Sequence, residues 1–242
     1  MNKKILLITG ASSDIGMALM KKVVNQYEVV LAHYCHLNDQ LENMKKEYGK
    51  KIELLQADFG CETSVQDMLQ KINDRGVYPN HIVHLAAPSF KYLQFRKTSW
   101  EDYEYSAQIS VKPIINILHE YLPQMAKEKY GKVVFMLSAC VLGTSPKFMS
   151  PYVTTKYELL GLMKSLSIEY IDKGITVNGV SPEMVDTKYL SGVPDVLVQQ
   201  NAEAMPLGRL LNIYEVVPTI EYLLSDGADM VNGQNIGITG GH

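Results

Sequence analysis

The chain has 242 residues, of which 46% are hydrophobic and 20% are charged, and its formal net charge is −3. This length suits one globular domain spanning residues 1–242, and the composition excludes a disordered or fibrous chain. A slightly acidic chain lacks the basic surface that nucleic-acid binding requires, so we expect no nucleic-acid partner.

Membrane association and metal binding are not expected either. No apolar stretch approaches the ~18 residues of a membrane span, and the run Ile5–Ile8 is too short for the core of a signal peptide. The three cysteines cannot all pair, and among the histidines only His33 and His36 are close in sequence. The sequence therefore predicts a cytoplasmic protein with reduced thiols, no membrane partner and no metal site.

Apolar runs of strand length alternate with amphipathic stretches of helical length, a pattern typical of βαβ units around a parallel sheet. The predicted strands are Lys3–Thr9, Glu28–His33, Lys51–Ala57, His81–Leu85, Lys132–Leu137, Thr176–Val180 and Gln234–Thr239. The predicted helices are Asp14–Asn25, Leu37–Tyr48, Thr63–Asn73, Trp100–Lys127, Tyr152–Asp172 and Ile213–Leu224. Pro113 and Pro123 are expected to bend or interrupt the longest helix.

The turn after the first strand has the composition of a phosphate-binding loop. Small residues let the backbone approach a pyrophosphate, and the following helix offers free N–H groups and a favourable dipole. The predicted cofactor contacts in this turn are Gly10, Ser12, Ser13, Ile15 and Gly16. Asp14 stands at the position of the motif's middle glycine, where its carboxylate is expected to cap the helix and to weaken phosphate binding.

Tyr152 and Lys156 are four residues apart in a predicted helix, which places them on one face. Because an ammonium favours the phenolate, Lys156 is expected to lower the pKa of Tyr152 toward the working pH, so that the phenol can exchange a proton with a substrate oxygen. Ser138 follows a predicted strand, at the sheet edge where ligands bind, and is expected to hydrogen-bond the same oxygen. Taken alone, these residues also fit a solvated lysine beside a packed tyrosine and a serine that caps a turn.

With these parts located, the whole chain resembles the short-chain dehydrogenase/reductase family, and in particular its 3-oxoacyl-acyl carrier protein reductase-like members. The motifs that carry the resemblance are Thr9-Gly10-x-x-x-Asp14-x-Gly16, Gln56-Ala57-Asp58-Phe59, His84-Leu85-Ala86-Ala87, Ser138 with Tyr152-x-x-x-Lys156, Val177-Asn178-Gly179-Val180-Ser181-Pro182, Pro206-Leu207-Gly208-Arg209, and the closing residues 232–241. The resemblance implies an α/β fold, a Rossmann-type doubly wound parallel sheet of about seven strands with helices on both faces. It also implies a homodimer or homotetramer.

The resemblance assigns roles to individual residues. Ser138, Tyr152 and Lys156 match the catalytic residues, and Ser110 stands where the family has an asparagine that helps to hold a water of the proton relay. The implied cofactor contacts beyond the first turn are Asp58 and Phe59 near the adenine, Ala86 and Ala87 in a close-approach segment, Val185 and Thr187 beside the carboxamide, and Tyr152 and Lys156.

The choice of cofactor depends on the end of the second predicted strand. NAD-dependent members commonly carry an acidic residue there, whereas residues 32–36 contain none. The candidates for contacting a 2′-phosphate are Ser13, His33 and His36. NADP is therefore favoured over NAD.

The expected activity is hydride transfer between this cofactor and a carbonyl or secondary alcohol. The stretch Ser181–Arg209 is the least periodic in the chain, and about residues 181–210 are predicted to cover the substrate; a surface loop is the alternative. Its apolar residues predict an apolar or mixed pocket. For such a pocket the resemblance implies a 3-oxoacyl thioester substrate, while sugar, steroid-like and polyol substrates stay open. The competing hypothesis is a cofactor-binding protein without catalysis, such as a redox sensor or scaffold.

Overall fold

The structure is a computed structural model that describes residues 3–241. All of its strands run parallel in one sheet, in the order β3-β2-β1-β4-β5-β6-β7. The strands are β1 (Ile5–Thr9), β2 (Val29–Tyr34), β3 (Ile52–Gln56), β4 (His81–His84), β5 (Gly131–Met136), β6 (Ile175–Pro182) and β7 (Asn235–Ile238). The predicted fold class is confirmed, and each predicted strand lies within two residues of its observed bounds.

The α-helices lie in the connections between these strands. They are α1 (Asp14–Val23), α2 (Asp39–Tyr48), α3 (Glu62–Asn73), α4 (Trp100–Ser110), α5 (Lys112–Glu128), α6 (Ser150–Glu169), α7 (Asp195–Ala204) and α8 (Ile213–Leu224). The long helix predicted from Trp100 is two helices that meet at Val111, just before Pro113, because proline cannot donate the helical hydrogen bond. Pro123 lies inside α5 and does not interrupt it.

Side chains alternate between two apolar layers, one on each face of the sheet. Along β1, Leu6 and Ile8 face the layer that includes α1, α2 and α8, while Leu7 faces the layer that includes α3, α5 and α6. All three are fully buried. A sheet that is covered on both faces leaves its two ends for polar residues, and parallel sheets bind ligands at the end where the strands finish.

The stretch predicted to be aperiodic contains a helix that the sequence analysis missed. A short 3₁₀ helix (Lys188–Gly192) is followed by α7. No residue of α7 is fully buried, so the helix leaves no apolar periodicity in the sequence. The segment is therefore built from helices that lie on the surface of the sheet domain.

Two kinds of feature are absent from residues 3–241. No helix there has both the length and the apolar character needed to cross a bilayer. Within the same residues, no group of histidine, cysteine, aspartate or glutamate side chains is arranged to hold a metal ion.

A buried polar cluster lies at the end of the sheet where the strands begin. The imidazole of His81, at the start of β4, bonds the hydroxyl of Tyr27 through Nδ1 (2.7 Å) and that of Tyr130 through Nε2 (2.9 Å). Burial, with a smaller contribution from the nearby Lys132 ammonium, lowers the pKa of His81 to about 3. His81 is therefore neutral in the folded protein.

This cluster predicts acid sensitivity. Because the unfolded chain protonates His81 near its ordinary pKa of 6.5 while the folded chain resists until about 3, stability is highest above 6.5 and falls as the pH is lowered through that window. Between pH 7 and pH 5 the loss from His81 is about 2 kcal/mol. Urea unfolding of the wild type and His81→Gln should show a shallower pH dependence in the variant, and parallel curves would contradict the assignment.

Candidate active site

The segments that carry the predicted cofactor-binding and catalytic residues lie at the end of the sheet where the strands finish. Strand order reverses between β1 and β4, so the connections after these two strands diverge and leave a crevice. Gly10 follows β1 and Ala86 follows β4, and Ser138 lies two residues beyond β5. The fold therefore brings together segments that are far apart in sequence.

The turn after β1 is shaped for a close approach by main-chain atoms. Gly10 has a φ of +69°, and a side chain there would meet the Ala86 nitrogen at 3.0 Å. A Cβ at Gly16, in the first turn of α1, would meet the Ala11 carbonyl oxygen at 2.7 Å. Both positions exclude larger residues, and the cradle they form leaves the start of α1 free to face a phosphate.

Ser13 caps α1, not Asp14 as the sequence analysis expected. The Ser13 hydroxyl accepts a hydrogen bond from the Gly16 N–H (3.1 Å) and donates one to the Gly10 carbonyl (2.7 Å). Asp14 is the first residue of the helix, and its carboxylate instead accepts the Lys188 N–H (2.8 Å). The carboxylate thus ties the cradle to the segment that follows β6.

His33, one of the candidates for a 2′-phosphate contact, is unsuited to that role. The side chain is buried, its Nδ1 accepts the Gly10 N–H (3.1 Å), and its Nε2 donates to the Ala57 carbonyl (3.1 Å). Burial lowers the pKa of His33 to about 4, so the ring carries no charge at neutral pH. Both ring nitrogens are hydrogen-bonded to the main chain, so His33 supports the turn at Gly10 from the protein interior.

The other residues predicted to contact the cofactor near His33 differ in how exposed they are. Phe59 is buried and stacks on the His33 ring at 3.8 Å between centroids, so it supports the cradle from the core. Asp58 is exposed, and its carboxylate accepts the Gly60 N–H at 2.8 Å. His36 is exposed just after β2. Ser12 uses its carbonyl to accept the Asn38 side-chain amide (3.0 Å), which holds the start of α2 beside the turn.

Tyr152 and Lys156 lie together near the start of α6. The Lys156 ammonium is 5.5 Å from the centre of the Tyr152 ring and donates to the Met136 carbonyl at the end of β5 (2.8 Å). Lys156 is buried, and this burial lowers its pKa to about 8. The lysine is therefore held against the strand end by its own hydrogen bond.

The expected lowering of the Tyr152 pKa by Lys156 is not found in this structure. Burial raises the pKa of Tyr152 well above its ordinary value, and this exceeds the lowering by a hydrogen bond with the Ser138 hydroxyl. Tyr152 is accordingly a neutral phenol that contacts Ser138. The shared bond of these two residues to a substrate oxygen stays a prediction. Two further groups that the sequence analysis missed, Cys140 and Glu183, also raise the pKa of Tyr152.

The remaining predicted residues are buried or partly buried. Val185 is buried and pairs with Leu211 in an isolated parallel bridge, and Thr187 donates to the Val185 carbonyl (3.3 Å). Ser110 is buried at the end of α4. Ala86 and Ala87 are both partly buried after β4.

Aromatic rings cover Tyr152 on the side facing the 188–192 turn. The Phe90 ring lies 4.9 Å from the Tyr152 ring and 4.3 Å from that of Tyr189, measured between centroids. The Tyr189 hydroxyl donates to the Pro88 carbonyl (2.9 Å), which anchors the turn to the segment after β4. Phe90 was not predicted from the sequence, because nothing in the spacing of residues 85–95 indicates which side chain packs against Tyr152.

Comparison with known proteins identifies the family. A family model described as enoyl-(acyl carrier protein) reductase matches residues 10–242. The chain belongs to the short-chain dehydrogenase/reductase family. It is 27% identical over 255 residues to the 3-oxoacyl-(acyl-carrier-protein) reductase FabG of Staphylococcus epidermidis, an alignment that covers 100% of this chain and 99% of the relative.

Solved structures show the same short-chain dehydrogenase/reductase fold. YwfH, an NADPH-dependent reductase involved in bacilysin biosynthesis, superposes with a TM-score of 0.88 at 20% identity, covering 99% of this chain and 98% of that one. ElxO with NADP bound superposes with a TM-score of 0.87 at 23% identity, with coverage of 99% and 98%. The predicted family is confirmed, and with it an NAD(P)-dependent oxidoreductase that acts on a ketone or an alcohol.

The Asp14 tether generates a prediction. A hydrogen bond to a carboxylate is worth roughly 1.5 kcal/mol, so Asp14→Ala should speed hydrogen exchange of the Lys188 amide about tenfold. Asp14→Asn keeps an acceptor oxygen and should retain most of the protection. Hydrogen-exchange mass spectrometry of peptides spanning residues 186–193 measures both, and equal protection in Asp14→Ala and the wild type would rule out the tether.

Proposed function

We propose that the protein is an NADP(H)-dependent reductase that delivers a hydride to the ketone of a 3-oxoacyl thioester or a related ketone. The observation that carries the proposal is the meeting of the Ser138 hydroxyl, the Tyr152 phenol and the Lys156 ammonium beside the cradle at Gly10. Two hydroxyl donors directed at one carbonyl oxygen stabilise the charge that develops there as the hydride arrives.

Each of these residues has a distinct part in the reaction. The bound nicotinamide supplies the hydride. Ser138 and Tyr152 hydrogen-bond the ketone oxygen, and the Tyr152 O–H bond breaks as its proton passes to that oxygen, which leaves a tyrosinate. Lys156 stabilises the tyrosinate by its charge and would hold the ribose of a bound cofactor. Ser110 helps to orient the water through which Tyr152 regains a proton from solvent.

The protonation state of Tyr152 favours the reducing direction. A phenol whose pKa is raised by burial is protonated at neutral pH, and a general acid must be protonated to act. Oxidation of an alcohol would require the phenolate, which the buried site disfavours before the cofactor binds. Ketone reduction is the direction that the resting state of this site supports.

The fit of a dinucleotide rests on the cradle itself. Side chains at Gly10 and Gly16 would occupy the space that main-chain atoms need, and the free N–H groups at the start of α1 suit a pyrophosphate. NADP is proposed over NAD because residues 32–36, at the end of β2, contain no carboxylate, and His36 there is exposed. The names of the similar structures, an NADPH-dependent reductase and a protein with NADP bound, support this choice.

Three further features belong to the proposal. Residues 181–210 cover the substrate, with Tyr189 and Phe90 above Tyr152. The protein is cytoplasmic. It assembles as a homodimer or homotetramer through α4 and α6, which pack side by side and expose Trp100, Tyr105 and Tyr157.

Replacing the acid tests the catalytic assignment. Tyr152→Phe removes only the phenol hydroxyl, so NADPH-dependent reduction of a panel of ketones and 3-oxoacyl thioesters should fall by at least ~10²-fold. NADPH affinity, read from its fluorescence, should change little.

The matched control is Tyr214→Phe, which alters an exposed tyrosine on α8, outside the proposed assembly surface, and should keep full turnover. Equal turnover in Tyr152→Phe and the wild type would refute the assignment. Saturable NADPH binding by the wild type with no substrate reduced would instead identify a cofactor-binding protein without catalysis.

A carboxylate placed after β2 tests the choice of cofactor. His36→Asp should weaken NADPH binding roughly tenfold through repulsion of the 2′-phosphate, while NADH binding stays equal or improves. His36→Gln is the matched neutral control and should change the ratio of the two affinities far less. A wild type that binds NADH more tightly than NADPH would overturn the NADP proposal.

A further inference from the structure

Two departures from the family's motifs meet in one buried hydrogen-bond chain. In the motif His84-Leu85-Ala86-Ala87 the resemblance places His84, the last residue of β4, where the family has an asparagine, and it places Ser110 where the family has another in the helix that follows. His84 is buried, and its Nε2 lies 2.7 Å from the Ser110 carbonyl oxygen. Its Nδ1 lies 2.7 Å from the Thr9 hydroxyl. One imidazole therefore spans from the end of α4 to the last residue of β1.

The direction of every bond in this chain follows from the chemistry of its members. A carbonyl oxygen only accepts, so Nε2 of His84 carries the proton and donates to Ser110. In a neutral imidazole Nδ1 is then a bare acceptor, and the Thr9 hydroxyl must donate to it. The oxygen of that hydroxyl in turn accepts the N–H groups of Leu85 (3.2 Å) and Ala86 (3.3 Å).

The ring is held in its neutral form. Burial lowers the pKa of His84 to about 3, which exceeds the opposing effect of its bond to the Ser110 carbonyl, and the Lys156 ammonium lowers it further. A protonated ring has no acceptor nitrogen, so it could not accept the hydrogen bond that Thr9 donates. The bond directions described above therefore hold only while His84 is neutral.

The chain ends on both sides of the proposed reaction site. Thr9 immediately precedes Gly10, where a side chain would meet the Ala86 nitrogen at 3.0 Å. Ser110 ends α4, next to the break at Val111, on the side where the proton relay is proposed. Lys156 is close enough to affect His84 electrostatically. A shift of His84 would move the cofactor side and the proton side relative to each other.

We propose that His84 is a positioning residue, which as a neutral Nε2–H imidazole joins the end of α4 to the cofactor cradle and keeps the two halves of the hydride-transfer site in register. The inference rests on the proposed function for its kinetic consequence. It does not make His84 a catalytic residue, because its ring contacts only protein groups.

A matched pair of variants tests the role. His84→Gln and His81→Gln replace buried, neutral, doubly bonded histidines at opposite ends of the same strand, β4. Both should lower the melting temperature. Only His84→Gln should lower kcat per NADPH-binding site, by about 10- to 100-fold, because small displacements of reacting groups are costly. It should also weaken NADPH binding up to about tenfold.

Nitrogen NMR of the histidine rings tests the bond directions on which the proposed role depends. Signals assigned by their loss in His84→Gln should show a neutral ring protonated on Nε2 from pH 5 to pH 8. Protonation on Nδ1, or titration within this range, would overturn the proposal. If His84→Gln does not fold, His84→Asn serves for both the assignment and the kinetics.

The outcomes separate the two proposals. Wild-type turnover with equal kcat in the two glutamine variants overturns the role of His84 and leaves the proposed function standing. A wild type that reduces no carbonyl compound overturns the proposed function. The role of His84 is then judged by NADPH affinity. Weaker NADPH binding in His84→Gln but not in His81→Gln supports positioning, and equal NADPH affinities in the two variants refute it.

Discussion

The contact between the turn after β1 and the segment after β4 is the constraint on which the site depends. Gly10 adopts a φ of +69° and approaches Ala86 so closely that a side chain would meet its nitrogen at 3.0 Å. The two segments belong to adjacent strands on either side of the point where strand order reverses. A crevice opens there only because both connections turn away from each other immediately after this contact.

Buried histidines reinforce that constraint from inside the protein. His33 receives the Gly10 N–H and donates to the Ala57 carbonyl, and His84 joins Thr9 to the Ser110 carbonyl. In each case burial lowers the pKa, which leaves one donor and one acceptor on a rigid ring. A neutral imidazole is suited to linking a donor and an acceptor that lie on opposite sides of it.

The same physics of burial sets the chemistry of the reacting residues. Removing water disfavours both the Tyr152 phenolate and the Lys156 ammonium, so the pKa of the tyrosine rises while that of the lysine falls to about 8. Tyr152 is therefore a neutral acid, and Lys156 is a cation that loses its proton easily. Lys156 is bonded to the end of β5, and Tyr152 contacts Ser138 just beyond it. The structure thus prepares a proton donor, whereas spacing alone had suggested a phenol already acidified by its neighbour.

The strands, most helices and the family could be predicted from the sequence, because apolar periodicity and motif order are local properties. The small residues of one turn, such as Gly10 and Gly16, also predicted the cradle. The four-residue spacing of Tyr152 and Lys156 predicted that they share one helix face. What only the tertiary structure decided were the partners of each polar group. Asp14 binds Lys188 rather than capping its own helix, His33 turns inward, and His84 reaches Ser110, since hydrogen bonds between distant segments and the loss of water around them depend on packing that no local pattern records.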